Sequence, residues 1–171
     1  EKQRVINALA ATGDDIRARA AQAGGKAAEV LEAQALMADD PTLRSDVDVR
    51  IDGGATAERA VFDAFAGFKE MLLSIGGYMA ERAADLDDVS QRIIARLSGV
   101  AAPGVPDSAT PFVLVARDLA PADTALLDLD KVLAVVTSDG GPTSHTAILA
   151  REKSITAVVG VNGAENLVDG D

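Results

Sequence analysis

The chain of 171 residues holds one histidine, His145, and no cysteine, so few places in it can carry chemistry. Without thiols there is no zinc ribbon, iron-sulfur cluster, thiolate nucleophile or disulfide, and one imidazole cannot build a multi-histidine metal site. His145 lies in Gly140-Gly141-Pro142-Thr143-Ser144-His145-Thr146-Ala147-Ile148-Leu149-Ala150-Arg151. Two glycines after an apolar run let the backbone turn sharply, Thr143 or Ser144 can cap the helix that follows, and His145 then falls in its first turn. That arrangement suits an anion. A helix N-terminus presents unpaired amide donors and about half a positive charge, which would stabilise a phosphate carried on the imidazole. The open backbone at Gly141 and the hydroxyls of Thr143, Ser144 and Thr146 supply further contacts without bulk. A Ser-His-Asp hydrolase assembled from Ser144, His145 and Asp139 is a poor alternative, because adjacent residues cannot align hydroxyl and imidazole as nucleophile and base.

The elements that must position this segment belong to an α/β unit. Phe112–Ala116, Val132–Val136 and Ala157–Val159 are short apolar, β-branched runs, the form of strands buried on both faces. A short helix from Pro121 and another over 144–153 are expected between them, giving strand, helix, strand, helix, strand. Before residue 100 the pattern differs. Only Pro41 occurs there, whereas five prolines crowd the remainder. A helix over 2–22 buries Val5, Ala8, Leu9 and Ile16, with Thr12 on the same stripe, and a second, over 26–38, carries Val30, Leu31, Ala35 and Leu36. Asp40-Pro41 reads as an N-cap and first helical residue, opening a short helix that stops before Gly53-Gly54. From Thr56 the stripe Val61, Phe65, Phe68, Leu72 and Ile75 forms an amphipathic helix, with a break expected at Gly76-Gly77. Leu86, Val89, Ile93 and Leu97 make one further face, ended by Gly99 at positive φ. Residues 101–106 read as a linker, dividing a helical subdomain, 1–100, from an α/β subdomain, 101–171.

The formal charge of −11 disfavours nucleic acid and anionic membranes as partners. Apolar residues make up 48% but aromatics only 3%, the difference being largely alanine, which favours closely packed helices. No apolar run is long enough to span a bilayer, and Glu-Lys-Gln-Arg does not begin a signal peptide, so a cytoplasmic protein is the default expectation. The first residue is not Met and the last follows a glycine, as expected of a piece of a longer chain. Asp85, Asp87 and Asp88 read as solvated helix surface rather than a magnesium site, and the paired glycines as turns.

The twelve residues 140–151 resemble the phosphohistidine signature of the phosphoenolpyruvate-utilising enzymes, which include pyruvate phosphate dikinase, phosphoenolpyruvate synthase and enzyme I of the sugar phosphotransferase system. The resemblance implies that His145 is the phosphoryl acceptor. Arg117-Asp118-Leu119-Ala120-Pro121-Ala122-Asp123-Thr124 resembles an element of enzyme I whose threonine bonds the unphosphorylated imidazole, implying that Thr124 orients His145 and fixes its tautomer. Tyr78–Asp85 is similar to the Tyr-Leu-Lys-Glu-Arg-Ala-Ala-Asp stretch of enzyme I, and 30–43 to the first arm of its helical subdomain. Pro142 departs from the arginine of many enzyme I sequences and cannot make a basic contact to the phosphoryl group.

The fold this implies is an all-helical subdomain that binds the phosphocarrier HPr, followed by a truncated α/β phosphohistidine swivelling subdomain. Leu36, Met37, Asp40, Met71, Met79 and Arg82 fall on the HPr-facing positions; the same Met and Leu side chains would fit ordinary helix packing equally well. The implied reaction moves a phosphoryl group from phosphoenolpyruvate through His145 to HPr, the first step of sugar uptake. Phosphoenolpyruvate and magnesium would be bound by a carboxy-terminal barrel domain that nothing here resembles, through which the whole enzyme would dimerise; no metal is expected in this chain. A dikinase or synthase swivelling domain leaves the helical half unexplained. A non-catalytic binding module, in which His145 only contacts a partner, is the alternative of another class.

Overall fold

The computed structural model describes residues 1–23, 25–102, 104–106, 108–119, 123 and 127–170, which divide into two compact units, Glu1–Pro103 and Gly104–Asp171. The first is helical: α1 (Lys2–Ala23), α2 (Gly25–Ala38), α3 (Pro41–Asp52), α4 (Ala57–Ile75), α5 (Gly77–Glu81) and α6 (Ala83–Ser98). Its helices begin where the local chemistry directs. Asp40 caps α3 by accepting from the amides of Thr42 at 2.7 Å and Leu43 at 3.0 Å, and the Thr56 hydroxyl accepts from the Arg59 amide at the start of α4. The helical run that began at Thr56 breaks at Gly76, and Gly99 closes α6 at φ +70°. Val5, Ile16, Leu31, Val61, Phe65, Leu86, Val89 and Ile93 form a buried interior. Two residues leave the faces assigned to them: Leu36 and Ile75 are exposed. Each lies in the last turn of its helix, where an apolar stripe can outrun the neighbour that would cover it.

The second unit is built on a parallel three-stranded sheet, order β1-β2-β3, of Phe112–Ala116, Val132–Thr137 and Thr156–Val158. Helix α7 (His145–Glu152) connects β2 to β3, and Ala164–Asn166 form a 3₁₀ turn. Leu114, Leu119, Leu127, Val132 and Val135 make the core, with Phe112, Ile155 and Ala157 packed against it. The strands are not buried on both faces among the described residues. Val113, Val115 and Val158 are exposed, while Leu114 and Val135 are buried. Successive side chains of a strand leave on opposite sides, and the described elements cover one of those sides. The short helix expected from Pro121 lies outside the described residues, apart from Asp123.

The acidic trio is only in part the solvated surface expected, since Asp87 keeps 49% of its side chain exposed while Asp85 and Asp88 do not. Asp85 is buried and meets Arg82 and Gln34, Asp87 pairs with Lys69, and Asp88 with Arg92. Each carboxylate is drawn to a different donor, and among the described residues no group of three His, Asp or Glu side chains could hold a metal ion. No helix among the described residues is long and apolar enough to cross a membrane.

Candidate active site

The sheet delivers the ends of β1 and β2 side by side, and the segment carrying His145 starts there. Ser138 and Asp139 donate their amides to the carbonyls of Ala116 and Arg117 at 3.1 and 2.8 Å, extending the ladder past the strands. The Thr137 hydroxyl, buried beneath, donates to the Asp139 carbonyl at 2.8 Å. Gly140 then turns the chain at φ +95°, and a Cβ there would meet the Ser144 hydroxyl at 3.0 Å. A glycine is needed at this position on both counts.

Gly141, half-buried, accepts from the Ser144 amide at 2.9 Å and closes the turn over Pro142 and the exposed Thr143. Of the two capping candidates Ser144 is the one used: its hydroxyl accepts from the Ala147 amide at 3.3 Å and its carbonyl from the Ile148 amide at 3.0 Å. His145 is therefore the first residue of α7 and Thr146 the second, where helix geometry leaves backbone amides without partners inside the helix. Arg151, in the last turn, reaches back to the Pro142 carbonyl at 2.9 Å.

Thr146 requires a correction. Its hydroxyl, expected to face a phosphate, is buried at 2% exposure and donates to Asp118 at 2.9 Å. The second position of α7 turns inward against the loop after β1, so that proton is committed within the protein and only the Thr146 amide remains for an anion. Asp118 also accepts from the Leu119 amide at 2.9 Å. Its neighbour Arg117 donates to Asp139 at 2.8 Å, and this pairing holds the Arg117 guanidinium above its ordinary pKa. The expected hydrogen bond between Thr124 and the His145 imidazole lies outside the described residues.

The candidate HPr surface belongs to the helical unit. Leu36 is 68% exposed and Met71 and Met79 each 45%, so these side chains are surface and not core; Met37 is half-buried. Asp40 is committed to capping α3. Arg82 is held at 3.1 Å by Asp85, whose second oxygen accepts from the fully buried Gln34 at 3.0 Å. That chain ties the end of α2, which carries Leu36, to the junction of α5 and α6. Lys69 and Asp87 tie α4, two residues from Met71, to α6. Sequence reasoning found no sign of Gln34, read Asp85 as solvated surface, and assigned no role in the site to Arg117, Asp118 or Asp139. Asp118 could have been suspected from belonging to the same matched element as Thr124, but its partner is 28 residues away.

Comparison with known proteins agrees with both halves. Residues 1–82 match the family model of the N-terminal part of PEP-utilising enzymes, and residues 109–171 match that of their mobile domain. The phosphoenolpyruvate-protein phosphotransferase of Streptomyces coelicolor is 58% identical over 170 residues, and that of Haloferax volcanii 38% over 180. The chain is matched over 99% and 98% of its length but spans only 31% and 32% of theirs. An NMR solution structure of an Enzyme I protein superposes with a TM-score of 0.82 at 37% identity, covering 98% of this chain and 70% of that one. The N-terminal domain of a nitrogen-type Enzyme 1 gives 0.68 at 29% identity.

Proposed function

The chain belongs to the phosphoenolpyruvate-utilising enzymes, as an amino-terminal portion of the enzyme I type, and from that membership we propose that His145 is a phosphoryl acceptor exchanging its phosphate with HPr. The observation that carries the reading is the placement of the chain's sole histidine as the first residue of the Ser144-capped helix α7, reached from β2 through the Gly140 turn. The neutral imidazole uses a ring nitrogen lone pair to attack phosphorus in line. A nitrogen–phosphorus bond forms at His145 as the one on the HPr histidine breaks, and HPr leaves as neutral imidazole, so no general base is required. Positioning and the electrostatics of the helix start supply the rate. The amides of His145 and Thr146, at the start of α7, and the Ser144 hydroxyl proton are the donors available to the phosphoryl oxygens.

Leu36, Met37, Met71 and Met79 supply a soft apolar contact for HPr, with Arg82 fixed beside them by Asp85. Asp40 contributes at most the outer face of a carboxylate already used as a cap. Phosphoenolpyruvate, magnesium and dimerisation are assigned to the carboxy-terminal remainder of the enzyme, and sugar uptake in the cytoplasm to the whole system. Among the described residues no three His, Asp or Glu side chains are grouped so as to hold a metal ion. The test is incubation with phosphorylated HPr. Transfer should leave an acid-labile, base-stable phosphate on the protein, and His145→Ala should abolish it while the circular dichroism spectrum is unchanged. Label persisting in that variant would remove His145 from the mechanism.

A further inference from the structure

Two consecutive residues at the end of β1 grip both ends of the segment that carries His145. Arg117 takes Asp139, through the Asp139 amide to the Arg117 carbonyl and through the Arg117 guanidinium to the Asp139 carboxylate, each at 2.8 Å. Asp118 takes Thr146 at 2.9 Å. Between Asp139 and Thr146 lie two glycines, a proline, two small hydroxyl residues and the histidine, a stretch with little side-chain bulk of its own to anchor it. Of the two grips, the Arg117–Asp139 ion pair is exposed on both sides, with side chains at 87% and 50%. Such a pair is readily exchanged for water and salt. The Asp118–Thr146 bond differs on its donor side: Asp118 is also exposed, but the Thr146 hydroxyl it holds is buried, and it acts on the residue next to His145.

We propose that Asp118 is a positioning residue for phosphotransfer: through the Thr146 hydroxyl it docks the first turn of α7 onto the loop after β1 and so fixes where His145 is presented. This rests on the reading of His145 as the phosphoryl acceptor. The hydroxyl of Thr146 is then a tether, and its removal acts on histidine placement with no loss of a phosphate contact. Asparagine at position 118 retains an oxygen to accept from Thr146 and Leu119, so the role requires the acceptor atom and survives loss of the charge.

The experiment uses the whole chain with phosphorylated HPr as phosphoryl donor, following label rate against HPr concentration, and in parallel the hydrogen exchange of amides 140–147. Asp118→Ala and Thr146→Val should lower the maximal rate by roughly tenfold or more, the scale of a misplaced reacting group. The HPr concentration giving half that rate should stay unchanged, and exchange at 140–147 should quicken. Thr146→Ser and Asp118→Asn should recover most of the lost rate. If Asp118→Ala and Thr146→Val label as fast as the parent, or if Asp118→Asn is as slow as Asp118→Ala, the proposal is overturned. Should the parent itself take no label, the acceptor reading fails, and unchanged exchange in Asp118→Ala and Thr146→Val would separately sink the tether.

Discussion

Gly160 and the carbonyl of Gly140 meet at the end of the sheet so closely that a Cβ on Gly160 would lie 2.9 Å from the Gly140 oxygen. Gly160 also holds φ +70°, and its amide donates to Asp139 at 3.4 Å. The turn after β3 thus buttresses the turn that leads to His145. Alanine at 160 must both strain its own backbone and push on backbone, which has no flexible end to yield. Gly160→Ala should destabilise the α/β unit by about 1–3 kcal/mol, and urea unfolding followed by amide signals of that unit would show it. A midpoint equal to the parent's would contradict the close approach.

Thr124→Val should retain phosphoryl acceptance but change its pH dependence. Loss of the hydroxyl would free the imidazole to change tautomer, at a cost of about 0.5–1.5 kcal/mol for one hydrogen bond. The rate profile between pH 5 and 8 checks this, and superimposable profiles for the two proteins would count against the contact.

HPr binding should reside in the helical unit, independent of phosphoenolpyruvate. Titration with HPr should shift its amide signals, whereas phosphoenolpyruvate alone should leave the chain unlabelled. Asp85→Ala removes the carboxylate that joins Arg82 to the buried Gln34 and leaves the Gln34 amide without its acceptor. It should cost about 1–3 kcal/mol of stability and weaken HPr binding by loosening one hold on Arg82. Binding as tight as the parent's at a temperature where the variant is folded would separate Arg82 from the surface.

Glu58 should give the helical unit part of its acid sensitivity. It sits in the first turn of α4, and a hydrogen bond from its own amide, together with Arg4, holds its carboxyl below the usual value of 4.5. A carboxyl depressed on folding contributes stability that is full above the unfolded pKa and lost as pH falls through the folded one. For a pair this accessible the contribution is a few tenths of a kcal/mol. Glu58→Gln should therefore lower the melting temperature slightly at pH 7 and converge with the parent as pH drops below about 4. A gap that widens on acidification would reverse the assignment.

What could be read directly from the chain was whatever neighbouring residues determine among themselves. Asp40 before Pro41, Thr56 before the stripe of α4, Gly99 after α6 and Ser144 before His145 each act within one helical turn, and the structure uses each as a cap or stop. The twelve residues around His145 named a chemistry for the same reason, since a glycine turn, a cap and a first-turn histidine form one local unit. Exposure and pairing were not local. Leu36 and Ile75 continue their stripes by spacing, yet only the position of other helices leaves them in solvent. The β-branched runs gave strands, but which side of the sheet is covered depends on where the connections cross. Thr146 looked like a donor for phosphate until Asp118 was brought to it, and Asp85 like surface until Gln34 arrived from 51 residues away. A hydrogen bond between distant residues has no periodicity and no characteristic neighbour, so it exists only once the chain has folded.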